Sequence, residues 1–364
     1  MFSAEKMIIL TYSSFAYAAL LFLLASGLSL IFGVMRIVNL AHAAFFLFSG
    51  YIALEFYNII YGTVSLIPRF IQIISWTVLY FVWKSISKKM SGGRSALLLL
   101  VIYLIIEIFS LSFWSFPIYE NLFFVKVPVK SVANLSIWML IGALIFTIII
   151  ISLAGFFVER VFLRQLGQDT IAQVLVTIGF AFILQDGSLY MWGGDNYFFD
   201  LPKLLGGSFT MQGMTFEKFR LFLIFVAAIV AIALYFCIER TKLGAIMRAT
   251  VDDPEMARGV GINTNIVSMS IFAIGTSLAA IGGIVGASFL GVYPGLDFEI
   301  LPYAFAVVII GGMGSLGGAL VGSIIVGLIE NFATAFFPEL NYFALFAPMA
   351  IILAVKPTGL FGKG

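Results

Sequence analysis

Long apolar runs recur from one end of this chain to the other, and they constrain its fold more than any other feature. Of its 364 residues, 62% are hydrophobic and only 10% are charged. A run of about 18 or more apolar residues can cross roughly 30 Å of hydrocarbon as an α-helix. Only helices and closed barrels satisfy their backbone in lipid, and these runs lack the two-residue alternation of barrel strands. The sequence therefore predicts an all-α, polytopic integral membrane protein with about 10 transmembrane helices.

The predicted spans follow the apolar runs. They cover residues 7–33, 37–57, 64–83, 95–116, 133–158, 171–192, 219–238, 266–291, 302–330 and 342–355. The first run is too long for the apolar core of a cleaved signal peptide, so we interpret it as a true span. Cys237 is the single cysteine and has no partner for a disulfide. A net charge of +2 excludes the basic footprint of a nucleic-acid-binding protein.

Basic residues orient these spans through the positive-inside rule. Lysine and arginine cluster in three loops, at residues 84–94, 160–164 and 239–263, and all three are cytoplasmic if the N-terminus lies outside. The loops at residues 193–218 and 292–301 then lie outside. Lys356 and Lys363 fit the rule only if the 302–330 block turns back on itself. We predict a multi-pass protein of the cell membrane with its N-terminus outside and its C-terminus in the cytoplasm.

Glycine is concentrated between Gly311 and Gly318. Each glycine costs about 1 kcal/mol relative to alanine inside a helix, so we predict a broken helix near the C-terminus. Broken backbone at membrane depth is tolerated where protein buries it or where it lines a watery cavity. Gly311, Gly312 and Gly314 are therefore candidate pathway residues. Close packing between helices is the alternative explanation of the same glycines.

A polar, basic segment at residues 239–263 lies between two apolar runs. Within it, Asp253 is a helix-capping acceptor, Pro254 suits the first helical position, and Glu255 suits the positive end of the helix dipole. Gly259 or Gly261 then supplies a stop. We predict a short helix of about two turns here, preceded by a helical stretch around residues 242–250. Such a segment can dock a partner, although a solvated basic loop remains the alternative.

Polar residues near the first two spans form a second group of candidates. Arg36, Asn39 and His42 recur every three residues and share one face if that stretch is helical. They line a pathway or gate, or else Arg36 anchors the interface and His42 is a structural histidine. His42 is the single histidine, which excludes a multi-histidine metal site.

A third group lies on the span at residues 171–192. Thr177, Gln185 and Asp186 are polar positions in an apolar run, where charged groups usually face a bundle interior or a cavity. Gln185 and Asp186 could line a route for the charged ends of a zwitterion. Equally, Asp186 could pair with a buried donor.

Four separated motifs carry a family resemblance over most of the chain. They are residues 27–42, residues 177–185, the 248–263 stretch with Arg248-Ala249, Asp252-Asp253, Ala257 and Gly261-Ile262-Asn263, and the 311–318 cluster with Gly322. In these motifs the chain resembles permeases of branched-chain amino acid ABC importers of the LivH/LivM type, and most of all the LivH branch.

The chain departs from that family pattern in two places. Residues 58–131 hold an inserted pair of hydrophobic segments, and their even number preserves the orientation downstream. Asp186 stands where the family commonly has a neutral amide after Gln185. We expect residues 1–364, with this insertion, to form a single transmembrane permease domain.

The resemblance implies a mechanism and a set of partners. Residues 239–263 would be the cytoplasmic coupling loop gripped by ATPase subunits. Its contact residues would be Arg248, Asp252, Asp253, Pro254, Glu255, Ala257, Arg258, Gly259 and Gly261. The expected partners are a second, LivM-like permease, two ABC ATPases and an extracytoplasmic substrate-binding protein. The chain lacks a Gly-x-x-x-x-Gly-Lys-Ser/Thr phosphate loop, so we expect no cofactor on it, with ATP and magnesium bound by the ATPases.

Alternatives to this hypothesis remain at two levels. Related permeases are also assigned to urea and short amides, and no residue here decides between these and leucine-like substrates. A self-sufficient secondary transporter would need inverted repeats and a coupling-ion site, and the sequence has no clear internal repeat. A membrane enzyme is disfavoured because no His, Asp and Glu cluster has catalytic or metal-binding spacing.

Overall fold

The computed structural model describes residues 4–35, 37–60, 137–167, 169–199, 201–211 and 213–362. Two compact units divide the chain: Met1–Ala53 with Val132–Gly364, and Leu54–Ser131. The second unit contains the whole inserted stretch of residues 58–131. The predicted spans at residues 64–83 and 95–116, and the candidate Arg36, lie outside the described residues.

Helices make up nearly all of the described structure. In chain order they are α1 (Ala4–Met35), α2 (His42–Ile60), α3 (Ile137–Val161), α4 (Thr170–Trp192), α5 (Lys218–Arg240), α6 (Lys242–Asp252), α7 (Pro254–Gly259), α8 (Thr264–Leu290), α9 (Leu296–Gly311), α10 (Leu316–Phe336) and α11 (Asn341–Val355). Short 3-10 helices cover Leu163–Leu166 and Pro338–Leu340. Within the described residues, six helices are long and apolar enough to cross a membrane: α1, α3, α4, α5, α8 and α10.

Side-chain caps fix where several spans begin. Asp169 accepts a hydrogen bond from the backbone N–H of Ala172 at the start of α4. Asn263 does the same for Ile266 at the start of α8. Capping of this kind satisfies donors that the first helical turn leaves unpaired, which is why these residue types precede the apolar runs.

Helix α1 is the centre of the first unit. It packs against α5, α8, α9 and α10, and every residue from Ala18 to Ile31 is buried. By contrast, α3, α4 and α5 leave large apolar side chains such as Leu153, Leu175 and Phe225 exposed. An apolar exterior on long helices is what contact with lipid or with another membrane subunit requires.

A small β-hairpin adds to the predicted all-helical class. Strands β1 (Ser208–Met211) and β2 (Met214–Glu217) pair antiparallel around a turn in which Gly213 has a φ of +80°. Helix α5 begins directly after β2 and ends one residue before α6. At 23 residues it is roughly 35 Å long. The hairpin and the α6–α7 pair therefore lie on opposite faces of the unit, which we call the hairpin face and the α6–α7 face.

Two predictions about local structure need correction. Residues 37–41 are not helical, so Asn39 and His42 do not share a helical face; α2 begins only at His42. The stretch at 292–301, expected to be a loop, becomes helical at Leu296, because Gly295 takes a left-handed φ of +103° and starts α9. The block at 302–330 does turn back on itself, since α9 ends at Gly311 and α10 begins at Leu316.

Candidate functional site

The 239–263 segment forms two short, capped helices. Thr241 caps α6 by accepting the backbone N–H of Gly244 at 3.2 Å. Asp253 caps α7 by accepting from Glu255 and Met256 at 3.0 and 2.9 Å. The predicted helix start at Asp253 is thus confirmed, and the helix ends before Gly261, whose φ is +89°. The side chains of Asp252 and Pro254 lie outside the described part of the structure.

The inner side of this segment is fastened to the long helices. Met247 of α6 is buried against Leu30 of α1 and Ile271 of α8. Arg258 donates from Nε to the Thr264 hydroxyl at 3.0 Å, which ties α7 to the start of α8. Arg248 bonds to the carbonyl of Ile238 and lies 3.7 Å from the Glu239 carboxylate. The α6–α7 segment is therefore packed against α1 and α8.

The outer side of the segment exposes apolar residues among charges. Leu243, Met256 and Val260 are 62%, 64% and 69% exposed, and Glu255 and Arg258 are exposed beside them. Apolar side chains rimmed by charged ones are typical of a protein–protein contact surface. Of the predicted coupling residues, Asp253, Glu255, Arg258, Gly259 and Gly261 lie on this surface. Ala257 is buried and Arg248 is half-buried, so these two lie on the inner side.

The turn between α9 and α10 lies beside α6. A cavity of about 1040 Å³ is lined by Met247 and Arg248 of α6, by Gly33 of α1 and by Gly314 of the turn. Gly33 and Gly314 approach so closely that a Cβ on Gly33 would meet the Gly314 Cα at 2.7 Å. The turn needs glycine at Gly312 and Gly314 because their φ angles are +106° and +82°.

Backbone of the C-terminal tail caps the end of α9. The N–H groups of Leu360 and Phe361 donate to the carbonyls of Ile310 and Gly311, both at 2.9 Å. Phe361 also lines the cavity beside α6. The candidate residues Gly311, Gly312 and Gly314 thus belong to a packed turn on the α6–α7 face, and their place in a pathway stays a prediction.

Asn39, His42 and Thr177 are fully buried. His42 lies 3.0 Å from the Leu24 carbonyl through Nε2, and the N–H of Leu40 donates to the Thr177 hydroxyl at 3.3 Å. These bonds tie the connection between α1 and α2 to α1 and α4. Asn39 Nδ2 and His42 Nδ1 have no hydrogen-bond partner among the described residues.

Gln185 and Asp186 diverge although they are neighbours on α4. The amide nitrogen of Gln185 lies 3.9 Å from the position a Cβ on Gly295 would occupy, so it faces the start of α9. Asp186 is exposed on the outer surface of α4. The structure therefore does not bring these two polar groups together.

A polar and aromatic cluster on the hairpin face was not predicted from the sequence. Tyr51 of α2 stacks on Trp192 at 4.6 Å between ring centroids, and Tyr197 meets Tyr51 edge-on at 6.3 Å. Asp297, in the first turn of α9, is only 2% exposed and its Oδ1 has no partner among the described residues. A buried polar atom left unpaired costs about 1–3 kcal/mol. No local pattern marks these residues, because four different elements bring them together.

Two connections on the hairpin face are joined beside this cluster. The antiparallel bridge between Tyr197 and Val292 joins the connection after α4 to the connection after α8. Nearby, the Tyr293 hydroxyl donates to Glu299 at 2.6 Å. Burial raises the pKa of the Tyr293 hydroxyl to about 12, and its bond to Glu299 adds to the shift. Tyr293 therefore remains a donor at neutral pH.

Across the described residues, no group of three or more His, Cys, Asp or Glu side chains could hold a metal ion.

Comparison with known proteins gives a family match over nearly the whole chain. Residues 10–355 match the family described as branched-chain amino acid transport system / permease component. The high-affinity branched-chain amino acid transport system permease protein BraD of Pseudomonas aeruginosa is 30% identical over 233 residues, covering 62% of this chain and 75% of the relative. The corresponding LivH of Salmonella typhimurium is 30% identical over 237 residues, covering 62% and 76%.

A more distant relative carries a different substrate in its name. The autoinducer 2 import system permease protein LsrC of Salmonella paratyphi B is 28% identical over 192 residues, covering 51% of this chain and 53% of the relative. No solved structure matches the chain.

Proposed function

The chain belongs to the family of permease components of branched-chain amino acid transport systems, and from that premise we propose that it is the transmembrane subunit of an ATP-driven importer for branched-chain and other hydrophobic amino acids. The family is one of permeases rather than enzymes. The chain would form the translocation path with a second permease, receive substrate from an extracytoplasmic binding protein and be driven by two ABC ATPases.

The observation that carries this proposal is that α6 and α7 are exposed on one side and packed against the long helices on the other. Exposed Leu243, Met256 and Val260 offer an apolar surface, while buried Met247 and Ala257 fix the same helices to the long helices behind them. A rigid element exposed on one side and packed on the other can pass a partner's movement into the bundle. This is what a permease needs when ATP hydrolysis takes place on another chain.

Two hydrogen bonds show which parts of the chain share a face, and they support one membrane orientation. Arg164, in one predicted cytoplasmic loop, donates to the Asn265 carbonyl beside the α6–α7 face at 3.0 Å. Tyr12, near the start of α1, donates to the Glu217 carbonyl on the hairpin face at 2.6 Å. We therefore propose that the α6–α7 face and the C-terminal tail are cytoplasmic and that the chain begins outside.

The named substrates of the relatives support leucine-like amino acids as the first choice. LsrC shows that similarity to this chain extends to a permease named for a different solute, so urea or short amides remain the alternative class. A self-sufficient secondary transporter is the alternative mechanism. It is disfavoured because it gives no role to an exposed apolar surface on α6 and α7.

Affinity purification of the tagged chain from its native membrane tests the docking step. We expect an ABC ATPase to copurify with the wild type and to be lost from Gly259→Trp. Gly259 is exposed with no atom within 4 Å of an added Cβ, so the indole would obstruct the partner rather than the fold. Gly187→Trp on α4 is the matched control, because that glycine is equally open and lies far from α6. Equal ATPase recovery from all three proteins would contradict the proposal.

A further inference from the structure

Two buried oxygen atoms on the hairpin face lack hydrogen-bond partners among the described residues: Asp297 Oδ1 and Tyr51 Oη. Their side chains are 2% and 0% exposed. Both residues lie beside the Tyr197–Val292 bridge: the Tyr197 ring packs edge-on against Tyr51, and α9 with Asp297 begins four residues after Val292. Buried polar atoms in native proteins are nearly always paired, so two unpaired atoms beside the same bridge point to a site completed by a ligand.

The chemistry of this cluster selects for a cation. An ionised carboxylate only accepts hydrogen bonds, and the tyrosine oxygen accepts as well, so both atoms suit a ligand that donates. The rings of Trp192 and Tyr197 pack against the Tyr51 ring, and aromatic faces attract positive charge. An ammonium group meets both requirements because it carries three donors and a full charge. An anion would be repelled by Asp297.

The position of Asp297 in the first turn of α9 offers a competing explanation. A carboxylate there stabilises the positive end of the helix dipole, and the backbone N–H of Phe298 hydrogen-bonds this side chain. This role occupies part of the carboxylate but leaves Oδ1 without a donor. It also gives no reason for the unpaired hydroxyl of Tyr51.

The cluster is closed on the hairpin face by a small backbone lock. Tyr197 and Val292 exchange two backbone hydrogen bonds of 2.9 and 2.8 Å. The Val292 side chain packs against Gly50, next to Tyr51, where an added Cβ would meet it at 2.7 Å. A ligand at Asp297 and Tyr51 would therefore be sealed from the hairpin face until Tyr197 and Val292 separate.

We propose that Asp297 and Tyr51 form an occluded subsite for the ammonium group of the transported amino acid, with the Tyr197–Val292 bridge as its outer gate. The identity of the ligand rests on the proposed function, whereas the preference for an organic ammonium rests on the cluster alone. The two are tested separately.

Thermal unfolding of the purified permease complex tests the subsite without transport. We expect 3-methylbutylamine, which has leucine's side chain and ammonium but no carboxylate, to raise the Tm by about 2 °C or more. The same shift should appear in Glu299→Gln and be lost in Asp297→Asn. Glu299 is the matched control because it lies on the same helical turn but is exposed and bonded to Tyr293. Tyr51→Phe, which removes only the hydroxyl, should reduce the Tm shift. This second variant tests the subsite if Asp297→Asn does not fold.

Three results of this experiment would overturn the subsite. They are no shift in the wild type, an equal shift in Asp297→Asn, and an equal shift with sodium chloride, which would indicate an inorganic cation. 4-Methylpentanoate, which keeps the side chain and lacks the ammonium, should give no shift, and stabilisation by it would count against the subsite as well.

Uptake into proteoliposomes separates the subsite from the proposed function. At saturating loaded binding protein, Asp297→Asn should lower the leucine uptake rate about tenfold or more, since a buried charged contact is lost. Glu299→Gln should transport normally. If Asp297→Asn matches the wild type, the subsite is wrong. If the wild type itself takes up no apolar amino acid, the proposed function is wrong, and the amine-induced Tm shift still decides whether the cluster binds ammonium.

Discussion

Tyr197 and Val292 join two connections on the hairpin face through their backbones: each donates its N–H to the other's carbonyl, at 2.9 and 2.8 Å. Residues paired in this way have Cα atoms about 5.5 Å apart, which is within the range that a disulfide can join. The chain's single cysteine, Cys237, lies on α5 near the opposite face and can be replaced by serine to give a clean background.

The first prediction follows from that geometry. In the Cys237→Ser background, oxidised Tyr197→Cys/Val292→Cys should lose at least about nine-tenths of its uptake, because a covalent bond keeps the two connections together. Reduction with dithiothreitol should restore uptake to the level of the single variants, which control for loss of each side chain. Full transport by the cross-linked protein would show that this bridge is not a gate.

Helix α1 contacts the α9–α10 turn through glycine. A Cβ added to Gly33 would lie 2.7 Å from Gly314 Cα and 3.2 Å from its carbonyl oxygen, and backbone atoms cannot move aside cheaply. Gly33→Ala should therefore cost about 1–3 kcal/mol and lower the Tm of the purified complex. Gly317→Ala in the first turn of α10, where an added Cβ meets nothing within 4 Å, should not lower it. Equal Tm values for the two variants would mean that α1 and the turn are not in this close contact.

Two methionines distinguish the outer from the inner side of the α6–α7 pair. Met256→Glu should reduce ATPase stimulation by loaded binding protein while leaving the Tm unchanged, because the side chain is exposed and glutamate suits the third helical position. Met247→Ala should instead lower stability by about 2–5 kcal/mol, because it empties a buried contact with Leu30 and Ile271. Thermal unfolding and ATPase assays on the same preparations check both. Normal ATPase stimulation in Met256→Glu would argue against this surface as the contact.

The burial of Ala257 decides which variant can report on docking. The resemblance of the 248–263 motif to the family made Ala257 a contact candidate. A bulky side chain at this buried position would, however, disturb packing inside the chain before it reached a partner. Gly259 has no such neighbours and is the informative position.

Local signals predicted local structure well. The Asp253-Pro254-Glu255 pattern placed the start of α7 because capping depends on residues within one helical turn. The glycine-rich stretch marked the reversal between α9 and α10 for a similar reason. Asn39 failed as a helical-face candidate because a three-residue spacing carries information only when the backbone is helical, and residues 37–41 are not.

The hairpin and the Asp297 cluster show two different limits of structure prediction from the sequence. Residues 208–217 alternate around Gly213 and could have been recognised as a hairpin, but the surrounding apolar runs dominated the interpretation. Asp297 belongs to the stretch at 292–301, which the sequence predicts to be an outside loop. Its burial depends on how the elements around α9 meet, and spacing along the chain does not encode that relationship.

The energy source is the central claim, and one uptake measurement tests it most directly. Proteoliposomes containing the full complex, with ATP enclosed and loaded binding protein outside, should accumulate labelled leucine when ionophores have collapsed every ion gradient. They should not do so when ATP is replaced by a nonhydrolysable analogue. Accumulation that survives loss of ATP and stops with the ion gradient would contradict the account and identify a secondary transporter.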